Sequence, residues 1–255
     1  MARLNEIRNA DSRCVHLDFH TSELIADVGA KFDKEKFAKT LKDAKINSVT
    51  VFAKCHHGCF YYKGSKFFVH PGMQGSLLDE QLDACKKAGV SAKIYISAGI
   101  DEHISRQHPE WLRREKYGED QDATGFRRLC FNSGYLDILK EQTREVVERY
   151  KPDGVFFDII STWPCYCDNC LAEMKRRGLD PKDEKQAQIV NDEVNMRYFK
   201  EINAVVKSVS PNTQIVHNVP YHICTREYID VNDRIELESL PTGGWGYDNF
   251  PAMVA

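Results

Sequence analysis

The sequence has no apolar run approaching about 18 residues, so no membrane span is expected. Its start, MARLNEIRNADSRCVHLDF, lacks the apolar core of a secretory signal, and a cytoplasmic location is the expectation. Long blocks of Lys or Arg are also missing. The 35 basic and 38 acidic residues leave a formal net charge of −3, and nothing in that balance favours a nucleic-acid partner. The composition of a disordered chain is absent as well, because 42% of the residues are hydrophobic and the net charge is small. Nine cysteines are an odd number for a secreted disulfide framework and point instead to metal binding or reduced thiols. There is no GxSxG, no GxxxxGK[ST], no HExxH, and no GxGxxG after a strand. The common serine-hydrolase, phosphate-loop, zinc-protease and dinucleotide sites therefore have no support.

What is present is alternation of short apolar runs with amphipathic stretches. Strands are expected over 14–20, 48–55, 91–97, 155–160, 213–218 and 234–239. Helices are expected over 33–45, with Asp33 as N-cap, over 77–88, closed by Gly89, over 135–150 and over 183–208. Repeated strand–helix units mean an α/β fold with a parallel sheet. A doubly wound sheet would carry a Gly-rich loop after strand one, where this chain has His20-Thr21-Ser22-Glu23. A (β/α)8 TIM barrel instead collects polar residues at the C-terminal ends of its strands, and His20, His56, His57, Ser97, Asp158, Asn218 and Glu238 fall there. About six βα units are legible where a barrel needs eight. The expectation is one barrel domain over 1–255, truncated at its C-terminal side, from a longer native protein that forms a homo-oligomer in full.

Side chains alternate along a strand, which puts His16, Asp18 and His20 on one face of strand one. His16 reads as polar filling of the barrel floor, and His20, at the exit, as functional. Phe156 and Asp158 share a face, as do Glu236 and Glu238. Asp158 also has the reading of a helix cap or loop organiser. Two carboxylates on one barrel mouth suit glycoside cleavage. They would stand about 5–5.5 Å apart in a retaining enzyme and about 6.5–9.5 Å apart in an inverting one. Trp163 and Trp245 lie in loops after strands and suit stacking on sugar faces, or simple packing. Cys165, Cys167 and Cys170 resemble part of a structural zinc site, against the alternative of three reduced thiols; no fourth ligand stands out.

The stretches HLDFHTSE, VTVFAKCHHGCFYY, VFFDI and ELESLPTGGWGYDNFP together resemble the barrel domain of the hypothetical glycosyl hydrolase family 6, from about Arg13 to Pro251. That group is related to α-L-fucosidases of glycoside hydrolase families 29 and 151. The resemblance implies further chain completing the barrel. It implies Asp158 as nucleophile, from Phe156-Phe157-Asp158, and His20, His56 and His57 as ligands of sugar hydroxyls. The motif around the His pair departs from family 29 by the extra Cys55 and by lacking an Asp after the pair. The acid/base is not fixed by motif; Glu238 is the first choice by strand-end position and Glu236 the second, with Glu236 otherwise a substrate contact. The implied activity is a retaining α-L-fucosidase acting on a carbohydrate substrate, with no cofactor needed for catalysis. The alternatives are a β-galactosidase-like enzyme on the same barrel, a carbohydrate-binding relative without turnover, and a zinc-dependent hydrolase.

Overall fold

The computed structural model describes residues 13–123, 125–218, 226–234 and 236. Five parallel strands form one sheet in the order β1 (Cys14–His16), β2 (Ser48–Lys54), β3 (Ser91–Ser97), β6 (Gly154–Asp158) and β7 (Gln214–His217). A small antiparallel pair, β4 (Asp122–Ala123) and β5 (Phe126–Arg127), lies outside the sheet. The helices are α1 (Lys34–Asp43), α2 (Leu77–Ala88), α3 (Glu102–Gln107), α4 (Tyr135–Tyr150), α5 (Asp168–Arg176), α6 (Glu184–Val209) and α7 (Arg226–Asp230). The architecture is α/β, a half-barrel of parallel strands with helices. Among the described residues no helix is long and apolar enough to cross a membrane.

Local chemistry explains the boundaries. The Asp33 carboxylate accepts the N–H groups of Glu35 and Lys36 and starts α1. Gly89, at φ 69°, turns the chain out of α2 in the left-handed conformation that glycine adopts at little cost. Strand pleating then divides the core into two layers. Val49, Val51, Ile94, Ile96, Val155, Phe157 and Ile215 face the helices. Phe52, Tyr95, Phe156 and Val216 face the opposite, inner side. Burial on both faces is why these strands read as near-continuous apolar runs.

Three expectations change. Strand one ends at His16 rather than His20. Only the Leu17 N–H still bonds to Thr50 O, at 3.1 Å. Further along β2, the returning chain at 59–61 takes the backbone groups instead, Tyr61 N–H bonding to Ala53 O and Cys55 N–H to Cys59 O. Second, α3, α5 and the β4–β5 pair were not legible, because each is too short to show a period. Third, the pairing of β2 with β3 slips between Phe52 and Lys54. This bulge turns Lys54 toward the helices and Cys55 toward the inner face. The sixth expected strand, 234–239, lies outside the described residues except for Arg234 and Glu236.

The slip gives Lys54 a buried polar nest. Its ammonium lies 3.1 Å from Asp101 Oδ2, 2.9 Å from Gln142 Oε1 and 3.2 Å from the Tyr135 hydroxyl. Burial pulls the Lys54 pKa down while Asp101 opposes the shift. Asp101 also accepts Ile104 N–H and so begins α3. Gly58 packs against the same carboxylate, where a Cβ would come within 2.2 Å of Oδ1. One carboxylate thus fixes β2, α3 and the loop that carries the His pair.

Candidate active site

At the C-terminal ends of β3, β6 and β7 the inner face carries Tyr95, Ser97, Asp158 and Asn218. Each oxygen of Asp158 accepts a hydrogen bond. Tyr95 donates its hydroxyl to Oδ2 at 2.5 Å, and Asn218 donates Nδ2–H to Oδ1 at 2.8 Å. Burial, and then Asp158 itself, push the Tyr95 pKa well above that of a free phenol, so Tyr95 stays a donor. The Asp158 backbone carbonyl accepts the N–H groups of Ala98 and Gly99. The next residue, Ile159, has φ 63°, a left-handed conformation that a β-branched residue rarely takes. Its carbonyl oxygen approaches so closely that a Cβ on Gly99 would stand 1.7 Å away. The backbone that presents Asp158 is held under strain by its neighbour, as is common where geometry serves chemistry.

His20 and His56 stack with ring centroids 3.8 Å apart. The Ser97 hydroxyl donates to Ile100 O at 2.7 Å, so it must accept from His56 Nδ1–H, also at 2.7 Å. That tautomer leaves His56 Nε2 as an acceptor. Burial, and then repulsion from His20, lower the His56 pKa to about 3, so the ring is neutral. His20 donates Nε2–H to Asp18 at 2.9 Å, and its Nδ1 lies 3.1 Å from the His56 backbone N–H. Burial works against its imidazolium, but hydrogen bonds to Asp18 and Cys55 outweigh burial and lift its pKa to about 9. The His56 N–H opposes that protonation, because it needs Nδ1 as an acceptor.

Cys55 completes this inner cluster. Burial disfavours its thiolate, yet hydrogen bonds from Cys59, His20 and Tyr61 prevail and hold its pKa well below the usual thiol value. His16 presents its ring to the edges or faces of Phe52, Tyr95 and Phe156. Phe126, from β5, packs beside the His pair with its centroid 5.3 Å from His56 and 4.9 Å from His57.

The structure therefore brings His20, His56 and Asp158 to one mouth and sends other expected residues elsewhere. His57 turns toward Glu23, 3.7 Å from Nδ1, which also pairs with Arg106 at 2.7 Å. Glu236 is a correction: its Oε1 lies 3.2 Å from Lys93 Nζ. Lys93 is in register with Gly154, four residues or about 13 Å of strand before Asp158, so Glu236 is bound at the opposite end of the strands as an ion-pair partner. Trp163 is exposed and lines a surface depression of about 880 Å³ with Gln188, Met196 and Tyr228. Glu238 and Trp245 lie outside the described residues. Tyr95 and Phe126 went unnoticed in the sequence. Alternation along SAKIYIS, with Lys93, Tyr95 and Ser97 at every second position, was the signal for Tyr95.

Away from the mouth, the structure supplies a companion for the Cys-rich loop. Cys130 joins Cys165, Cys167 and Cys170, with all four Sγ atoms within 4.8 Å of one another and all four residues buried.

Comparison with known proteins places the chain among glycosyl hydrolase-like domains. Residues 33–159 match the family model of hypothetical glycosyl hydrolase 6. The hypothetical glycosyl hydrolase 6 segment contains His56, Tyr95 and Ser97 and ends one residue past Asp158. The solved structure of α-L-fucosidase isoenzyme 2 from Paenibacillus thiaminolyticus is 41% identical with a TM-score of 0.88, covering 94% of this chain and 37% of that one. Two β-galactosidases share the fold alone. The one from Marinomonas ef1 is 13% identical with a TM-score of 0.64, and the one from Halorubrum lacusprofundi is 16% identical with a TM-score of 0.65. In both cases the match covers 91% of this chain and 40% of the other. The chain thus spans well under half the length of these relatives. No curated protein matches it by sequence.

Proposed function

We propose that this chain is the (β/α)8-barrel portion of a retaining α-L-fucosidase, with Asp158 as nucleophile. The observation that carries the reading is the placement of Asp158. It ends a central parallel strand, both its oxygens are oriented by hydrogen bonds, and it shares the mouth with His20 and His56. The 41% identity to an α-L-fucosidase over 94% of the chain supports the choice of sugar.

In this scheme Asp158 attacks the anomeric carbon and a covalent glycosyl–enzyme forms. A carboxylic acid protonates the leaving oxygen, then, as carboxylate, takes a proton from the incoming water. Glu238 is assigned that role by its strand-end position. Tyr95 and Asn218 hold the attacking carboxylate in one rotamer. His56 offers Nε2 to a sugar hydroxyl, and the neutral state imposed by burial keeps that nitrogen an acceptor. The two carboxylates suffice for the bond-making and bond-breaking steps.

The test is hydrolysis of 4-nitrophenyl α-L-fucoside and β-D-galactoside by the full-length protein and its Asp158→Asn variant. Fucoside turnover, lost in the variant, with α-L-fucose as the first product in an NMR time course, is the expected result. Turnover that survives the substitution, or β-L-fucose released first, overturns the mechanism. Fucose binding without hydrolysis by either protein would mark a binding domain.

A further inference from the structure

We propose that Cys130, Cys165, Cys167 and Cys170 bind a single zinc ion that clamps the chain ahead of α4 to the loop that leaves Asp158.

The geometry fits one ion. A tetrahedron of thiolates at a Zn–S distance of about 2.3 Å has edges of about 3.8 Å. Cys130 and Cys170 Sγ lie 3.6 Å apart, and all four sulfurs lie within 4.8 Å of one another. An iron–sulfur cluster would need its thiolates spread around several iron atoms, which this spacing does not allow. Four soft sulfur donors with no oxygen or nitrogen among them select zinc over magnesium, calcium or manganese.

The surroundings suit negatively charged sulfur. Asn132 donates its backbone N–H to Cys130 Sγ at 3.3 Å and its Nδ2–H to Cys170 Sγ at 3.9 Å. Arg197 donates to Asn132 Oδ1 at 3.0 Å and thereby turns the amide nitrogen toward the thiol. Cys167 is the N-cap of α5, yet its side chain makes no capping bond, and Cys170 sits in the first turn. The positive end of the helix dipole therefore faces the sulfurs while they point at one another. Each of these four cysteines is at most 3% exposed. With four protein ligands there is no open position for water, so the ion is structural and takes no part in sugar chemistry.

Its mechanical role follows from the two segments joined. Cys130 follows the β4–β5 pair that carries Phe126, and its N–H bonds to Trp111 O. Cys165 follows the loop whose carbonyls at Ser161 and Thr162 are held by Asn195 and Asn191 of α6. The ion would tie the segment that carries Phe126, beside His56, and the segment that leaves Asp158 to one point.

The experiment uses full-length protein purified under reducing conditions without a polyhistidine tag or chelator. Elemental analysis is expected to give one zinc per chain. Mercurial titration of the thiols should release that zinc to a colorimetric chelator. Cobalt exchanged into the site should give thiolate charge-transfer and tetrahedral ligand-field bands. Cys130→Ser and Cys167→Ser should lose the metal, and Cys85→Ser, a buried thiol elsewhere, should keep it. If the variants fail to fold, the wild-type metal content and cobalt spectrum decide alone. A folded, fully reduced wild type that takes up less than a tenth of an equivalent of zinc or cobalt overturns the proposal. So does disulfide pairing of these cysteines in freshly purified protein, or stoichiometric iron with the spectrum of a sulfide-containing cluster.

Discussion

The Tyr95 hydroxyl reaches Asp158 Oδ2 from two residues lower on the neighbouring strand. Tyr95 is in register with Phe156, so the phenol extends diagonally up the inner face to the carboxylate. It acts as a positioning residue for the proposed nucleophile. A hydrogen bond to a charged group contributes about 1.5–3 kcal/mol, which corresponds to roughly 10- to 150-fold in rate if it orients the reacting group. Tyr95→Phe should lower kcat on an aryl fucoside within that range, leave KM little changed and shift the melting temperature by only a few degrees. Unchanged kcat would remove Tyr95 from the site.

Acid should destabilise the fold through His217. The ring is completely buried between the Tyr198 hydroxyl at 3.1 Å and Asn203 Oδ1 at 2.9 Å, and burial lowers its pKa to about 3. Between that value and the ordinary 6.5 the unfolded chain binds the proton and the folded chain does not. Stability is therefore full above pH 6.5 and falls as pH drops through the window. Between pH 7 and pH 5 the loss from this residue is about 2 kcal/mol. Melting curves of the wild type and His217→Gln over that range should converge as pH falls. Parallel curves would exclude His217 as the source.

The ion pair of Lys54 and Asp101 is a third point of test. Both side chains are essentially inaccessible. Lys54→Met leaves Asp101 buried without its cation and should cost about 3–5 kcal/mol. Adding Asp101→Asn should recover part of the loss, because the uncompensated charge is then gone. Urea unfolding of the single and double variants measures this. Equal stability of wild type and Lys54→Met would show that the nest does not depend on charge.

Gly99→Ala should damage the site from behind. The new methyl would collide with the Ile159 carbonyl, which can yield only by moving backbone. Overpacking of this kind costs about 1–3 kcal/mol, and the displaced atoms are one residue from Asp158. The expected result is a lower melting temperature together with a fall in fucoside turnover. A variant with wild-type activity would mean that the close approach is dispensable.

Much of the scaffold was legible because local chemistry dictates it. Gly89 ends α2, Asp33 begins α1, and the boundaries of α2, β3 and α4 fall where the pattern puts them. The inward face of Phe156 and Asp158 was legible for the same reason, since alternation is a property of the strand itself. Pairing between strands was not. The end of β1 depends on which segment claims the groups of Ala53 and Cys55, and HLDFH alternates well enough to look like strand to its last residue. His56 and His57 are adjacent in sequence and diverge in space because one finds Ser97 and the other Glu23. Cys130 stands far from its three companions in sequence, and only the tertiary fold brings the four together. The match of residues 33–159 to a glycosyl hydrolase family agrees with the resemblance seen in the residues.

The slip at Ala53 has a consequence for how this mouth could be altered. It works as a phase shifter between a rigid sheet and the segment that carries His56. An unbroken ladder that paired Ala53 with Ile96 would exchange the surroundings of Lys54 and Cys55, turning an ammonium toward the mouth and a thiol into the helical layer, while Val49 and Val51 stayed in place. One extra residue in the strand thus decides which side chain the loop presents and leaves its foundations untouched.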